Sequence, residues 1–201
     1  AVPLDAEGVE IRPIWTWGEV RTNQVFFNQV RVPKNYLIGE VNKGWRCIMQ
    51  ALNFERVAIG PYSKTRRLFD GLLSYCRSAE RDGQPLAQIP EVRARLAELA
   101  AKVEVADLFS LRTAWMIDNG LVPDAEASMT KVYSSELAAE IADAGMTIMD
   151  MYGQLNKHDP RAPSQGLLEE FYRRVPYIRF GGGTNEVQLN IIAQRGLGLP
   201  R

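Results

Sequence analysis

From Gly44 to the end of the chain, apolar residues recur with the 3.6-residue period of an α-helix. The pattern predicts long helices over about 45–78, 91–118 and 124–152, with Pro61 interrupting the first. A short helix over about 165–174 and a terminal helix follow. Long helices joined by short loops are typical of an antiparallel up-and-down bundle, so we predict a mainly α fold over residues 44–201.

Two of these helices carry a continuous apolar stripe that we expect to form the core. The stripe residues are Val92, Leu96, Leu99, Val103 and Ala106 on one helix, and Tyr133, Leu137, Ile141, Ala144 and Ile148 on the next.

Residues 1–43 follow a different period. Val9–Ile14 and part of 24–32 alternate apolar and polar side chains, which predicts β-strands, and we expect the only strands of the chain here. Two or three strands cannot cover both faces of a sheet or satisfy its edges. We therefore interpret residues 1–43 as the end of a larger β domain and the chain as a fragment.

Composition excludes several functional classes. Lys plus Arg and Asp plus Glu number 24 each, so charge gives no reason to expect a nucleic acid or an anionic membrane as partner. No apolar run is long enough to span a bilayer, and residues 1–13 do not resemble a signal peptide. Cys47 and Cys76 fall in helical pattern and favour reduced packing thiols in a cytoplasmic protein. His158, the only histidine, lies in a polar loop, and we expect no metal site.

Three consecutive glycines, Gly181–Gly183, precede the terminal helix. Thr184 is a good N-cap, and Glu186 adds negative charge to the first turn. Apolar residues at Val187, Ile191 and Ile192 predict the buried face of that helix. The glycines are consistent with a tight turn, and equally with a ligand lying against exposed backbone N–H groups.

Glu55 is unexpected in a plain bundle. It shares one helix face with Ile48, Leu52 and Ile59, and a carboxylate on an apolar stripe is unfavourable unless it is paired or neutral. A buried ion pair or a stripe at the edge of the bundle would explain it. The functional alternative is a desolvated carboxylate with a raised pKa, suited to abstracting a proton.

Several segments, in order, resemble the C-terminal part of an acyl-CoA dehydrogenase. They are RTNQVFFNQVRVPKNYLIGEVNKGW, LNFERVAIGP, PLAQIPEVRARLAELAAKVEVA, MYGQLN and FYRRVPYIRFGGGTNEVQLNIIAQRGLGLP. The resemblance covers nearly the whole chain. It implies α,β-desaturation of an acyl-CoA thioester, in which a glutamate removes the α proton and FAD takes the β hydride.

The resemblance also implies where the base lies. Most members carry it just before the closing Gly-Thr, and Gly182 occupies that position here. A minority carry it in the first long helix in a Leu-Asp-x-Glu-Arg pattern, which the segment LNFER matches with Asn53 in place of the acid. The resemblance thus assigns the base to Glu55 and the backbone N–H that binds the thioester carbonyl to Gly182, with Asn53 and Arg56 on the substrate side.

For FAD, the resemblance carries over Gly153, Thr184 and Glu186. The flavin-pyrophosphate motif of the family is replaced by the segment AERDG at residues 79–83, where Arg77 or Arg81 is a possible substitute. Because the upstream flavin contacts lie outside the chain, we expect it not to bind FAD tightly alone.

The resemblance leaves two functions open. In one, the chain is part of a catalytic subunit that uses Glu55. In the other, it is a non-catalytic assembly or FAD-binding subunit of a mixed-subunit enzyme. In both we expect a homo- or hetero-oligomer, either a dimer or a dimer of dimers, associated through the bundle.

Overall fold

The computed structural model describes residues 1–59 and 62–200, except for the side chains of residues 50, 53–59 and 62. The chain is mainly helical, as predicted. The helices are α1 (Gly44–Ile59), α2 (Tyr62–Ser78), α3 (Pro90–Asp118), α4 (Asp124–Met149), α5 (Leu167–Phe180) and α6 (Asn185–Ile191). The strands are β1 (Val9–Trp15), β2 (Arg21–Phe27), β3 (Glu80–Arg81) and β4 (Gln84–Pro85).

Strands β1 and β2 form an antiparallel hairpin that pairs Val9 with Phe27 and Trp15 with Arg21. The second strand begins earlier than predicted and ends at Phe27, because the chain then turns through Gln29 at φ 50°. Most side chains of both strands are exposed, so one hairpin does not bury its own faces. The hairpin is attached to the helices by its tip, where Arg173 of α5 donates to the carbonyl of Trp17 at 2.7 Å.

The prediction that residues 1–43 hold the only strands is wrong. Strands β3 and β4 form a second, two-residue antiparallel hairpin. Its turn is Asp82-Gly83, at φ 53° and 76°. An Asp-Gly pair is a strong hairpin signal because both residues tolerate positive φ.

Three helix boundaries differ from prediction. The first predicted helix is two, α1 and α2, on either side of residues 60–61, which lie outside the description. Helix α4 stops at Met149 because Asp150 has φ 52°, and a 3₁₀ turn then covers Asp150–Gln154. Helix α5 runs to Phe180 instead of ending near residue 174.

The core lies where α2, α3, α4 and α5 meet, and α4 contacts all the other helices. The α3 stripe is buried as predicted, and so is the α4 stripe apart from the half-buried Tyr133. Cys76 is buried in this core and Cys47 is exposed, so only one of the two thiols is a packing residue. A buried hydroxyl pair, Thr113 with Thr130 at 3.1 Å, links α3 to α4.

Candidate functional site

The glycine loop, residues 181–183, connects α5 to α6. The amide of Gly181 still belongs to α5 and donates to the carbonyl of Tyr177 at 3.0 Å. Gly182 and Gly183 have φ of 72° and 93°, which favours glycine strongly over other residues. The Thr184 hydroxyl accepts a bond from the Val187 amide at 3.3 Å, which confirms the predicted N-cap.

The predicted buried face of α6 is wrong. Val187 is 49% exposed, and Ile191 and Ile192 are only half-buried. The residues of α6 that are buried are polar, Asn185 and Gln188. Helix α6 packs on α4 through hydrogen-bonding side chains, a contact that an apolar pattern does not reveal.

A polar network joins α4 to both ends of the glycine loop. Lys131 of α4 is 2% exposed, and its Nζ donates to the carbonyl of Arg179 at 2.8 Å and to Asn185 Oδ1 at 2.5 Å. Asn185 Nδ2 donates to Ser135 Oγ at 3.0 Å and to Glu136 Oε1 at 2.6 Å. The Arg179 guanidinium donates to both carboxylate oxygens of Glu136, at 3.0 and 2.6 Å.

The pKa values of three residues in this network are shifted, and the contacts explain the direction of each shift. Burial lowers the pKa of Lys131, against the attraction of Glu136 and Glu186. Burial acts to raise the pKa of Glu136, but hydrogen bonds from Arg179 and Asn185 outweigh it and the pKa is lowered. The pKa of Glu186 is lowered by its own backbone N–H and by the Thr184 hydroxyl. Both carboxylates therefore remain anionic near neutral pH.

Beside the glycine loop lies a cavity of about 260 Å³. Helices α2, α4 and α5 form its walls, the β1–β2 hairpin touches it through Val20, and Gly181 lines the edge nearest the loop. The buried hydroxyl of Ser134 has no hydrogen-bond partner among the described residues. Other lining residues are Lys64, Thr65, Lys131, Ser135, Ala138, Phe171, Arg174, Tyr177 and Ile178. The cavity can thus receive an apolar group and offers it at least one polar contact.

The predicted base lies on α1, but the side chains of Asn53, Glu55 and Arg56 are outside the described residues. Their roles stay predictions. Of the stripe that was expected to bury Glu55, Ile48 is 54% exposed and Leu52 is half-buried. The described part of this face is therefore open in the chain, which agrees better with a stripe at the edge of the bundle than with burial inside it.

The residues predicted to bind FAD fall in two places. Thr184 and Glu186 lie together at the start of α6, where a hydroxyl and an anionic carboxylate suit the hydroxyl groups of a ribose or ribityl chain. Gly153 lies in the turn after α4, and a Cβ there would be 3.0 Å from the carbonyl oxygen of Met146, so close packing disfavours a side chain at this position. Arg81 donates to the carbonyl of Ile148 at 3.2 Å, and both Arg81 and Arg77 are exposed.

The described residues hold no group of His, Cys, Asp and Glu side chains that would bind a metal ion. His158 is exposed in its loop, as predicted. Among the helices described, none combines the length and the apolar character that a membrane span requires.

Comparison with known proteins places this geometry in context. Residues 42–197 match the family described as Acyl-CoA dehydrogenase, C-terminal domain. Acyl-CoA dehydrogenase FadE26 of Mycobacterium tuberculosis is 34% identical over 205 residues, covering 100% of the chain and 51% of FadE26. The chain thus spans about half the length of such relatives.

Two solved structures share the fold over the whole chain. One is the ChsE4–ChsE5 complex from Mycobacterium tuberculosis, with a TM-score of 0.90, 34% identity and coverage of 100% of the chain and 52% of the other. The second is a Tcur3481–Tcur3483 steroid ACAD, with a TM-score of 0.91, 32% identity and coverage of 100% and 51%.

Proposed function

The chain belongs to the acyl-CoA dehydrogenase family, and from that premise we propose that it is part of an FAD-dependent enzyme that desaturates an acyl-CoA thioester, with Glu55 as the base. The observation that carries the proposal is the glycine loop. The buried Gln188 amide holds a backbone turn in which residues 181–183 carry no side chain. In this family that position usually supplies the carboxylate, so the carboxylate has to come from elsewhere, and α1 carries Glu55 in the family's alternative pattern.

The proposed chemistry divides between a side chain and the backbone. Glu55 accepts the α proton as the C–H bond breaks, and the backbone N–H of Gly182 stabilises the negative charge that develops on the thioester oxygen. FAD supplies the hydride acceptor when it is bound, since no side chain accepts a hydride. Asn53 and Arg56 stay proposed as substrate contacts because they belong to the same family pattern as Glu55.

We propose a bulky acyl group as substrate. Residues 181–183 carry no side chain, and the adjoining cavity adds about 260 Å³ whose surface is mainly apolar. One similar structure is described as a steroid ACAD, which is consistent with a polycyclic acyl thioester.

We propose that Thr184 and Glu186 bind FAD through their side-chain oxygens, which are hydrogen-bond acceptors at the start of α6. Gly153 stays a weaker proposal, because its contact with Met146 already explains the absence of a side chain. We also propose a cytoplasmic location, consistent with the two free cysteines.

Association with a second acyl-CoA dehydrogenase subunit is proposed through an apolar surface on α3. This surface, the α3 face, consists of Leu108, Leu111 and Trp115, which are 65%, 59% and 59% exposed. They follow spacings of three and four and so lie on one side of the helix. Exposed apolar patches of this kind commonly mark protein interfaces.

A second candidate function is a non-catalytic subunit of a mixed assembly. The exposure of Ile48 favours it, because the described part of the α1 face is open in this chain. In the catalytic alternative a preceding domain or a partner subunit would cover that face.

The experiment that separates the two candidates is desaturation by the full-length protein, assembled with its partner subunit, as wild type and as Glu55→Gln. The amide keeps the volume and removes proton acceptance, so we expect a loss of about 10²–10⁴ in kcat with unchanged FAD content. Glu40→Gln, an exposed glutamate shortly before α1, is the matched control. Wild-type turnover in Glu55→Gln would leave only the non-catalytic function.

A further inference from the structure

Lys131 is a bulky charged side chain that is buried between α4, the end of α5 and the start of α6, and the proposed chemistry does not use it. It is the largest of the fully buried side chains among the described residues. Placing an ammonium group there is unfavourable unless its hydrogen bonds are satisfied. The two oxygens it reaches belong to different helices, and they flank one short segment.

The first oxygen is the carbonyl of Arg179, in the last turn of α5. The last carbonyls of a helix generally lack an intrahelical partner, and the helix dipole favours a cation beside them. The second is Oδ1 of Asn185, the first residue of α6. One ammonium group therefore ties together the end of α5 and the start of α6, across the glycine loop.

The loop needs such an anchor because its own residues provide little rigidity. Glycine has more backbone freedom than any other residue, and three stand in succession here. The other restraints also come from outside the loop. Glu136 binds Arg179 and Asn185 on the same two sides, and Gln188 Nε2 donates to the carbonyl of Gly182 at 3.1 Å.

We propose that Lys131 is a positioning residue that fixes the backbone of Gly182 where its N–H can meet the thioester oxygen. The catalytic effect of Lys131 rests on the proposed function of that N–H. The anchoring of the glycine loop by Lys131 does not. Lys131 acts through α5 and α6, and a displaced backbone donor would weaken the stabilisation of charge in the transition state.

The test uses the intact assembled protein as wild type, Lys131→Met and Thr130→Val. Thr130→Val is the matched control, because Thr130 is buried on the same helix, is adjacent in sequence and contacts α3 instead of the loop. The first readout is amide hydrogen exchange over residues 177–188. We expect exchange there to quicken about tenfold or more in Lys131→Met and to stay unchanged in Thr130→Val.

The second readout is steady-state desaturation. We expect kcat to fall about tenfold to a hundredfold in Lys131→Met with little change in KM, because a donor that acts in the transition state is misplaced. If Lys131→Met does not fold, Asn185→Ala severs the same link from the α6 side and is judged by the same two readouts.

Unchanged exchange over 177–188 in Lys131→Met would overturn the proposal. So would faster exchange in Lys131→Met together with a wild-type kcat, provided that Glu55→Gln inactivates the enzyme. If the wild-type assembly desaturates no acyl-CoA, the proposed function fails while the exchange result still decides whether Lys131 anchors the loop.

Discussion

Gln188 donates from Nε2 to the carbonyl of Gly182, and the same nitrogen lies 2.5 Å from where a Cβ on Gly183 would stand. The amide is fully buried, so it cannot swing aside into solvent. The hydrogen bond and the absence of a side chain at Gly183 therefore depend on each other, and together they define the shape of the glycine loop.

A methyl group at Gly183 should damage both stability and turnover. Gly183→Ala meets the positive φ of 93° and the contact with Gln188, whereas Gly120→Ala meets only a positive φ of 71° in open space. We expect Gly120→Ala to lower the free energy of unfolding by about 1–2 kcal/mol. Gly183→Ala should cost at least about 1 kcal/mol more, because the buried amide must shift.

Urea unfolding of both variants measures this difference through the midpoint at constant slope. Equal destabilisation of the two would show that Gln188 moves freely, contrary to its burial. Turnover should fall in Gly183→Ala alone.

The stability of the loop should depend on acid through Glu136. The pKa of Glu136 in the folded chain lies below the ordinary 4.5, so its stabilising contribution is present above that value. The contribution is lost as the pH falls from 4.5 through the lowered folded pKa. Wild type should therefore exceed Glu136→Gln in stability at neutral pH and lose that advantage in acid.

The measurement is the free energy of unfolding of both proteins from neutral pH downward. Arg179→Met removes a cause of the lowered pKa, so in that background the loss should be smaller and should be complete at a higher pH. A constant gap between wild type and Glu136→Gln across the acid range would contradict the assignment.

The sequence predicted the apolar parts of this fold well and the polar parts poorly. The α3 stripe was recognisable because five aliphatic residues repeat at helical spacing and all five are buried. Asn185, Gln188 and Lys131 were missed because such residues are usually exposed, and α6 offered an apolar alternative in Val187 and Ile191. The available signal was the run of small residues on α4, such as Ser134, Ser135 and Ala138, which permits close approach of a neighbouring chain segment.

The length of α5 was missed for a related reason. Pro176 in the sequence favours an earlier end, since proline removes a backbone donor inside a helix. The structure instead continues to Phe180, where Lys131 and Glu136 bind Arg179 from outside the helix. Contacts distant in sequence thus override a local signal.

The α3 face should control assembly. Leu111→Glu places a charge at the centre of this exposed apolar surface, so we expect the full-length protein to dissociate to smaller species at concentrations where wild type is associated. Gln84→Glu in the exposed β3–β4 hairpin adds the same charge elsewhere and should leave assembly intact. Native mass spectrometry gives the masses, and an unchanged oligomer in Leu111→Glu would move the interface to another surface.

A carboxylate returned to the glycine loop should partly replace Glu55. In the Glu55→Gln background, Gly182→Glu restores the position at which most of the family carries its base. The φ of 72° at Gly182 disfavours any side chain by about 1–2 kcal/mol, so we expect lower stability and incomplete recovery of kcat.

The matched control is Gly182→Gln in the same Glu55→Gln background, which carries equal volume and equal backbone strain but accepts no proton at neutral pH. We expect kcat to exceed that of the Glu55→Gln single variant by about tenfold or more with glutamate, because a placed general base contributes about 10²–10⁴ and the strain removes part of it. With glutamine there should be no gain. Both double variants should show a raised KM for bulky acyl-CoA, since each adds a side chain beside the proposed thioester site. Equal turnover of the glutamate and glutamine variants would mean that the position does not present a carboxylate to the α proton, and the assignment of Gly182 to the family's base position would fail with it.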